Sequence, residues 1–167
     1  MALIVETGEG LANADSLVTL AEARAFAESR GLSLASVDAT LEAQIRLAHD
    51  YLLANEFRLA GCRRTEGQAL SYPRDNYALY GYAVASGTIP QGIKNVITQL
   101  VIEGSEIELL PSTDGKVVVQ ETVGPISTTY AQSGVSGGHP TFPRVEALLA
   151  PFLSGGDTSG ALTSVRV

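Results

Sequence analysis

Behind Pro90, Ile93, Val96, Ile97, Leu100 and Val101 recur at three- and four-residue spacing, and no other stretch restricts the fold as strongly. That spacing puts all five on one wide face of a helix. Proline suits the first position of such a helix, because its missing N–H would be unpaired there anyway. The pattern runs to about Leu109. Gly104 lies inside it and costs about 1 kcal/mol against alanine, so it marks a place where the helix can break.

Other helices are needed to cover that face, and the chain supplies them. Thr19 followed by Glu22 is a capping-box pair, and Gly31 is a natural stop, so the spacing predicts a first helix over the Ala-rich residues 20–30. Ser36 or Asp38 caps a second helix, in which Leu41, Ile45, Ala48 and Leu52 share a face and which ends near Asn55. Pro143 opens a short C-terminal helix with Val145, Leu148, Leu149, Phe152 and Leu153 on its apolar side. Hydrophobic residues make up 45% of the 167-residue chain but aromatics only 6%, with no Trp, so aliphatic and alanine packing must dominate. A chain this long forms one domain and buries roughly 68–70% of its unfolded surface.

Two further segments depart from helical spacing. Residues 56–88 hold Arg58, Arg63, Arg64 and Arg74, several glycines, Tyr72-Pro73 and the tyrosines Tyr77, Tyr80 and Tyr82. They read as a long ordered loop with a short helical turn around 75–80. Lys116–Glu121 and Ile126–Tyr130 are rich in β-formers around Gly124-Pro125, and read as an antiparallel hairpin. The expected fold is mainly α: a small helical bundle with an extended β-hairpin and a C-terminal helix or arm. Residues 1–110 form the bundle core with its N-terminal lead-in, 111–140 the hairpin and a flexible loop, and 141–167 the C-terminal helix and tail arm.

Charge and reactive residues narrow the function. The formal net charge is −7, the wrong sign for a surface that grips phosphates indiscriminately. Cys62 is the single cysteine, so no intrachain disulfide forms. The N-terminus lacks a basic leader and no apolar run approaches the ~20 residues of a membrane span. A soluble protein of a reducing cytoplasm is expected. His49 and His139 have no orienting partner in sequence, and Gly8-Glu9-Gly10 precedes no helix at the offset of a dinucleotide loop. No nucleophile–base pair, metal site or cofactor site emerges, and the chain reads as a non-enzyme.

The arginine cluster stays open to two readings. With Tyr72, Tyr77, Tyr80 and Tyr82 it has the composition of a stacking surface for single-stranded nucleic acid. Alternatively the arginines pair with acids on neighbouring helices or on a neighbouring subunit, which is the commoner use. The C-terminal helix and the hairpin are open in the same way. Each either docks on a partner or completes the chain's own core.

Three ordered stretches carry a family resemblance: Val5-Glu-Thr-Gly-Glu-Gly-Leu-Ala-Asn-Ala-Asp-Ser16, Gln68-Ala-Leu-Ser-Tyr-Pro-Arg74 and Val123-Gly-Pro-Ile-Ser127. Over roughly residues 1–153 the chain resembles small proteins of tailed-phage structural modules, often labelled DnaT-like single-stranded-DNA-binding proteins, which by position and shape look like head–tail connector adaptors. Tyr72 departs from the pattern, which commonly has Trp before Pro-Arg. The resemblance implies a homo-oligomeric ring of twelve copies in the virion neck, assembled in the host cytoplasm. It would sit between the portal protein and a tail-side stopper or completion protein, with genomic duplex passing through.

In that frame the portal clasp is Phe142, Val145, Leu148, Leu149, Phe152 and Leu153. The hairpin contact is Val117, Val119, Ile126, Thr128 and Tyr130, meeting a neighbouring adaptor or the tail side. Arg58, Arg63, Arg64 and Arg74 bridge subunits or hold nucleic acid, and Glu103, Glu106 and Glu108 face the lumen, where acids keep a sliding duplex from sticking. The rival function is a single-stranded-DNA-binding accessory of phage replication.

Overall fold

The structure, a computed structural model, describes residues 2–111, 120–123, 126–129 and 142–155. Helix α1 spans Leu20–Glu28, α2 Asp38–Ala54, α3 Gln91–Gly104 and α4 Pro143–Leu149, the last followed by a 3₁₀ turn at Ala150–Phe152. The expected mainly α bundle is present. Helix α3 lies at its centre, packed against α1, α2 and α4. Ile93, Val96, Ile97, Leu100 and Val101 are all buried, against Leu41, Ile45, Ala48 and Leu52 of α2 and Val145 and Leu149 of α4.

Helix ends follow local chemistry. At α1 the Thr19 hydroxyl accepts from the Glu22 N–H while the Glu22 carboxylate accepts from the Thr19 N–H, which completes the capping box. Its other end is a Schellman turn: Gly31, at φ +70°, donates to the Glu28 carbonyl and Leu32 donates to that of Ala27. Helix α2 corrects one expectation. Val37 occupies its N-cap position and no side chain caps it. Asp38 is the first helical residue instead, and it accepts from Arg24 at 2.7 Å. Helix α3 stops at Gly104, so the stretch to Leu109 is not helical. Leu109 folds back onto that glycine, where a Cβ would crowd its side chain.

Residues 56–88 also differ from expectation. No helical turn forms at 75–80. A 3₁₀ turn at Glu56–Arg58 leads into two miniature antiparallel sheets, β1 (Cys62–Arg63) with β2 (Arg74–Asp75) and β3 (Ala78–Leu79) with β4 (Tyr82–Ala83). Asn76 and Tyr80 adopt positive φ, at 61° and 54°, which breaks any helix there. The hairpin expected at Lys116–Tyr130 is present as β5 (Gln120–Val123) and β6 (Ile126–Thr129), paired from Gln120 opposite Thr129 to Val123 opposite Ile126. Val117, Val119, Tyr130, His139 and the tail beyond Gly155 lie outside the described residues.

The N-terminal lead-in is tied to the bundle by a buried histidine. The imidazole of His49, on α2, accepts a hydrogen bond from the Leu17 N–H at 3.0 Å through Nε2. Burial outweighs the attraction of Asp15 and lowers its pKa from 6.5 to about 4. The neutral form is therefore the folded form, and the unfolded chain binds the extra proton first. Stability should be full above pH 6.5, decline as the pH falls, and level off below pH 4, a total loss on the order of 3 kcal/mol. Urea denaturation across pH 4.5–7 checks this; a His49→Gln variant should flatten the slope.

Candidate functional site

Residues 56–87 hold the arginines and tyrosines that the sequence singles out. Their geometry is governed by one acid, Glu56. Its Oε1 accepts from Arg63 Nε at 2.7 Å and Arg74 Nη1 at 2.9 Å, and its Oε2 accepts from Arg63 Nη2 at 2.5 Å. These bonds hold the Glu56 carboxyl below its ordinary pKa, the Arg63 hydrogen bond being the largest cause. Arg74 is nearly enclosed, with 7% of its side chain exposed. Its remaining N–H groups donate to the carbonyls of Leu59, Ala60, Gly61 and Ser71.

Gln68 completes the frame. Its amide donates to the Leu70 and Pro73 carbonyls and accepts from the Thr65 N–H, while Arg63 donates to the Gln68 carbonyl. The Tyr72-Pro73 peptide is cis, and the Tyr72 ring is buried edge-on against Tyr77 at a centroid distance of 6.4 Å. Burial pushes the Tyr72 phenol far up.

Arg58 points the other way, toward the C-terminus. It makes a two-pronged pair with Glu146 of α4, at 2.9 and 2.6 Å, and so lowers the Glu146 pKa through that hydrogen bond. Backbone bonds from Ala60 to Phe152 and from Ser154 to Arg58 close the same seam. Arg64 differs from the other three. It donates to Ser86 Oγ at 3.0 Å and stands 3.9 Å from the exposed Glu9 carboxylate. Its guanidinium lies against Gly87, where any Cβ would collide with it.

The expected sites therefore separate. Arg58, Arg63 and Arg74 are joined within the chain, leaving Arg64 as the cluster member with the loosest partners. Tyr72 and Tyr77 are core, whereas Tyr80 and Tyr82 are 77% and 80% exposed, as is Phe57 at 82%.

The C-terminal helix answers its open question in favour of the core: Phe142, Val145, Leu149 and Phe152 are buried, and Phe142 meets Tyr51 edge-on at 5.6 Å. Within this chain they offer no free clasp, because the wide α3 face needs them. Leu153 is half-buried, and Leu148 remains at the surface. Ile126 and Thr128 lie in β6. Glu103 lies in the last turn of α3 and accepts from Gln99 at 2.9 Å, whereas Glu106 and Glu108 follow the helix on exposed positions rather than continuing it. Among the described residues no cluster of His, Cys, Asp and Glu could hold a metal, and no helix is long and apolar enough to cross a membrane.

Glu6 is a residue that sequence reasoning missed. Its buried carboxylate accepts from the N–H groups of Gly8, Gly10 and Leu11 at 2.7–2.9 Å, so the lead-in loop wraps around its own acid. Gly8, at φ +101°, also abuts the Gly87 carbonyl, which leaves no room for a side chain. The signal was present as an acid two residues before a Gly-x-Gly turn. Glu56 gave no such signal, since Arg74 reaches it only in the folded chain.

Residues 1–167 match the model of a family described as "Putative DnaT-like ssDNA binding protein". The chain belongs to that family. No curated protein and no solved structure matches it. Two of the stretches that carry the DnaT-like resemblance are now explained as framework. The first supplies Glu6 and the loop it gathers, and the second supplies Gln68, Tyr72 and Arg74. The third includes Val123 and Ile126, the last pair in the β5–β6 register.

Removing Glu56 should be far costlier than removing Arg58. Glu56→Ala leaves the enclosed Arg74 charge without its acid and should cost about 3 kcal/mol. Arg58→Ala breaks a half-exposed pair and should cost about 1 kcal/mol or less. Chemical denaturation of both variants checks the difference, and equal costs would refute the hub.

Proposed function

We propose that this DnaT-like protein is a non-enzymatic assembly subunit, a head–tail connector adaptor. Its copies close into a ring in the virion neck, between the portal protein and a tail-side partner, with genomic duplex passing through. The observation that carries the reading is the internal use of the arginines. Arg58, Arg63 and Arg74 are held by Glu146, Glu56 and backbone carbonyls, in a chain of net charge −7. Phosphate binding depends on cations that exchange small counterions for the nucleic acid. What the surface offers instead is exposed aromatic and aliphatic side chains, Phe57, Tyr80, Tyr82, Leu47 and Leu110 among them. Aromatic residues are the common anchors of protein interfaces.

A second reading is favoured by the family description itself: single-stranded-DNA binding as an accessory to phage replication. In this chain it would rest on Arg64 as the cation and on Tyr80 and Tyr82 as stacking rings.

Fluorescence anisotropy with a labelled oligothymidylate at low salt separates the two. The assembly reading expects weak binding that is unchanged in Arg64→Ala. Tight, salt-sensitive binding that Arg64→Ala weakens tenfold or more would overturn it in favour of the second. Cryo-electron microscopy of the phage neck gives the positive test, and a neck without a ring of this chain would sink the adaptor reading.

A further inference from the structure

Strands β3 and β4 are joined by a two-residue turn, Tyr80-Gly81, with φ of +54° and +83°. Positive φ at both central positions is the type I′ arrangement, which favours Asn, Asp or Gly at the first of them. A bulky aromatic there works against its own backbone. The return within the chain is small, because the Tyr80 side chain is 77% exposed and Tyr82, just beyond the turn, is 80% exposed. Breaks of a local rule without gain inside the fold concentrate at functional or strained sites, which singles this tip out.

Elsewhere on the same chain is a groove of matching chemistry. It is about 290 Å³ in volume and lies between α2 and the end of α3 with the segment after it, its lining including Gln44, Leu47, Asp50, Glu108 and Leu110. Ligand pockets for drug-sized molecules begin near ~300 Å³, so this one suits a side chain better than a cofactor. Leu47 and Leu110 are exposed apolar walls, at 58% and 48%. Asp50 and Glu108 supply acceptors at the rim, and the Gln44 side-chain oxygen is buried without a hydrogen-bond partner among the described residues. Apolar walls with acceptors and an acidic rim complement a phenol, which brings a flat apolar body and one O–H donor. The same rim repels a phosphate backbone.

We propose that the hairpin tip Tyr80-Gly81-Tyr82 is an assembly anchor that seats in the α2–α3 groove of a second copy of this chain. The inference rests on the ring-forming reading above. A projection and a recess at different places on one chain make a head-to-tail contact, the kind that closes into rings.

The test replaces Tyr80 with the photoreactive p-benzoylphenylalanine in the full chain, mixed with isotope-labelled wild-type chain at up to millimolar concentration. Crosslinks are expected from position 80 of one copy to residues 44–50 or 104–110 of the other, and Leu47→Glu should abolish them. Tyr80→Asn should raise Tm, because asparagine tolerates the left-handed backbone, yet weaken self-association at least tenfold by sedimentation. Circular dichroism verifies that both variants fold. Crosslinks that map elsewhere, absence of any intermolecular crosslink, or unchanged association of Tyr80→Asn would each overturn the contact. A neck ring containing this chain in the face of such a result would keep the adaptor reading while rejecting this interface. Crosslinking of position 80 to added oligothymidylate in place of protein would reject both.

Discussion

The buried guanidinium of Arg74 fixes the half of the molecule that the helices do not. It is enclosed, paired with Glu56, and bonded to the backbone carbonyls of Leu59, Ala60, Gly61 and Ser71. A buried cation without its acid is strongly unfavourable, so the Glu56 turn, the β1–β2 pair and the Tyr72-Pro73 corner have to assemble together. Arg63 and Gln68 tie off the loop between them. From that frame the β3–β4 hairpin projects, and to its other side Arg58 fastens α4.

That arrangement changes how a basic cluster should be read. Four arginines within a short span of an acidic chain suggest a phosphate site when taken as composition. In the fold, three of them are structural cations whose charges are answered a few ångströms away. The apolar face of α4 follows the same logic. A short amphipathic helix near a chain end has the form of a docking peptide, yet the central helix α3 presents too wide a face for α1 and α2 to cover alone. Helix α4 completes that cover, and Arg58–Glu146 and the 58–60 seam hold it in place.

Helices were legible because their signals are local. The Thr19–Glu22 box, the Gly31 stop, the Ile93–Val101 stripe and Pro143 each act within one or two turns, and each marks a helix end or face in the structure. The break at Gly104 was visible, but its outcome depended on Leu109 returning to pack there. The 56–88 segment was opaque because its organising contacts join residues that sequence spacing does not relate. Glu56 meets Arg74, the lead-in loop meets Gly87, and Glu146 comes from far along the chain to meet Arg58.

By itself the sequence determined a mainly α bundle, where its helices begin to within about two residues, an aliphatic core and a net negative charge. These follow from periodicity, capping and composition, which need no knowledge of what lies across the molecule. Only the tertiary structure decided which charged and aromatic groups remain at the surface. Burial and pairing are properties of positions in space. They removed Arg58, Arg63, Arg74, Tyr72, Tyr77 and most of the α4 face from the candidate surface, and left Phe57, Arg64, Tyr80, Tyr82 and the α2–α3 groove on it.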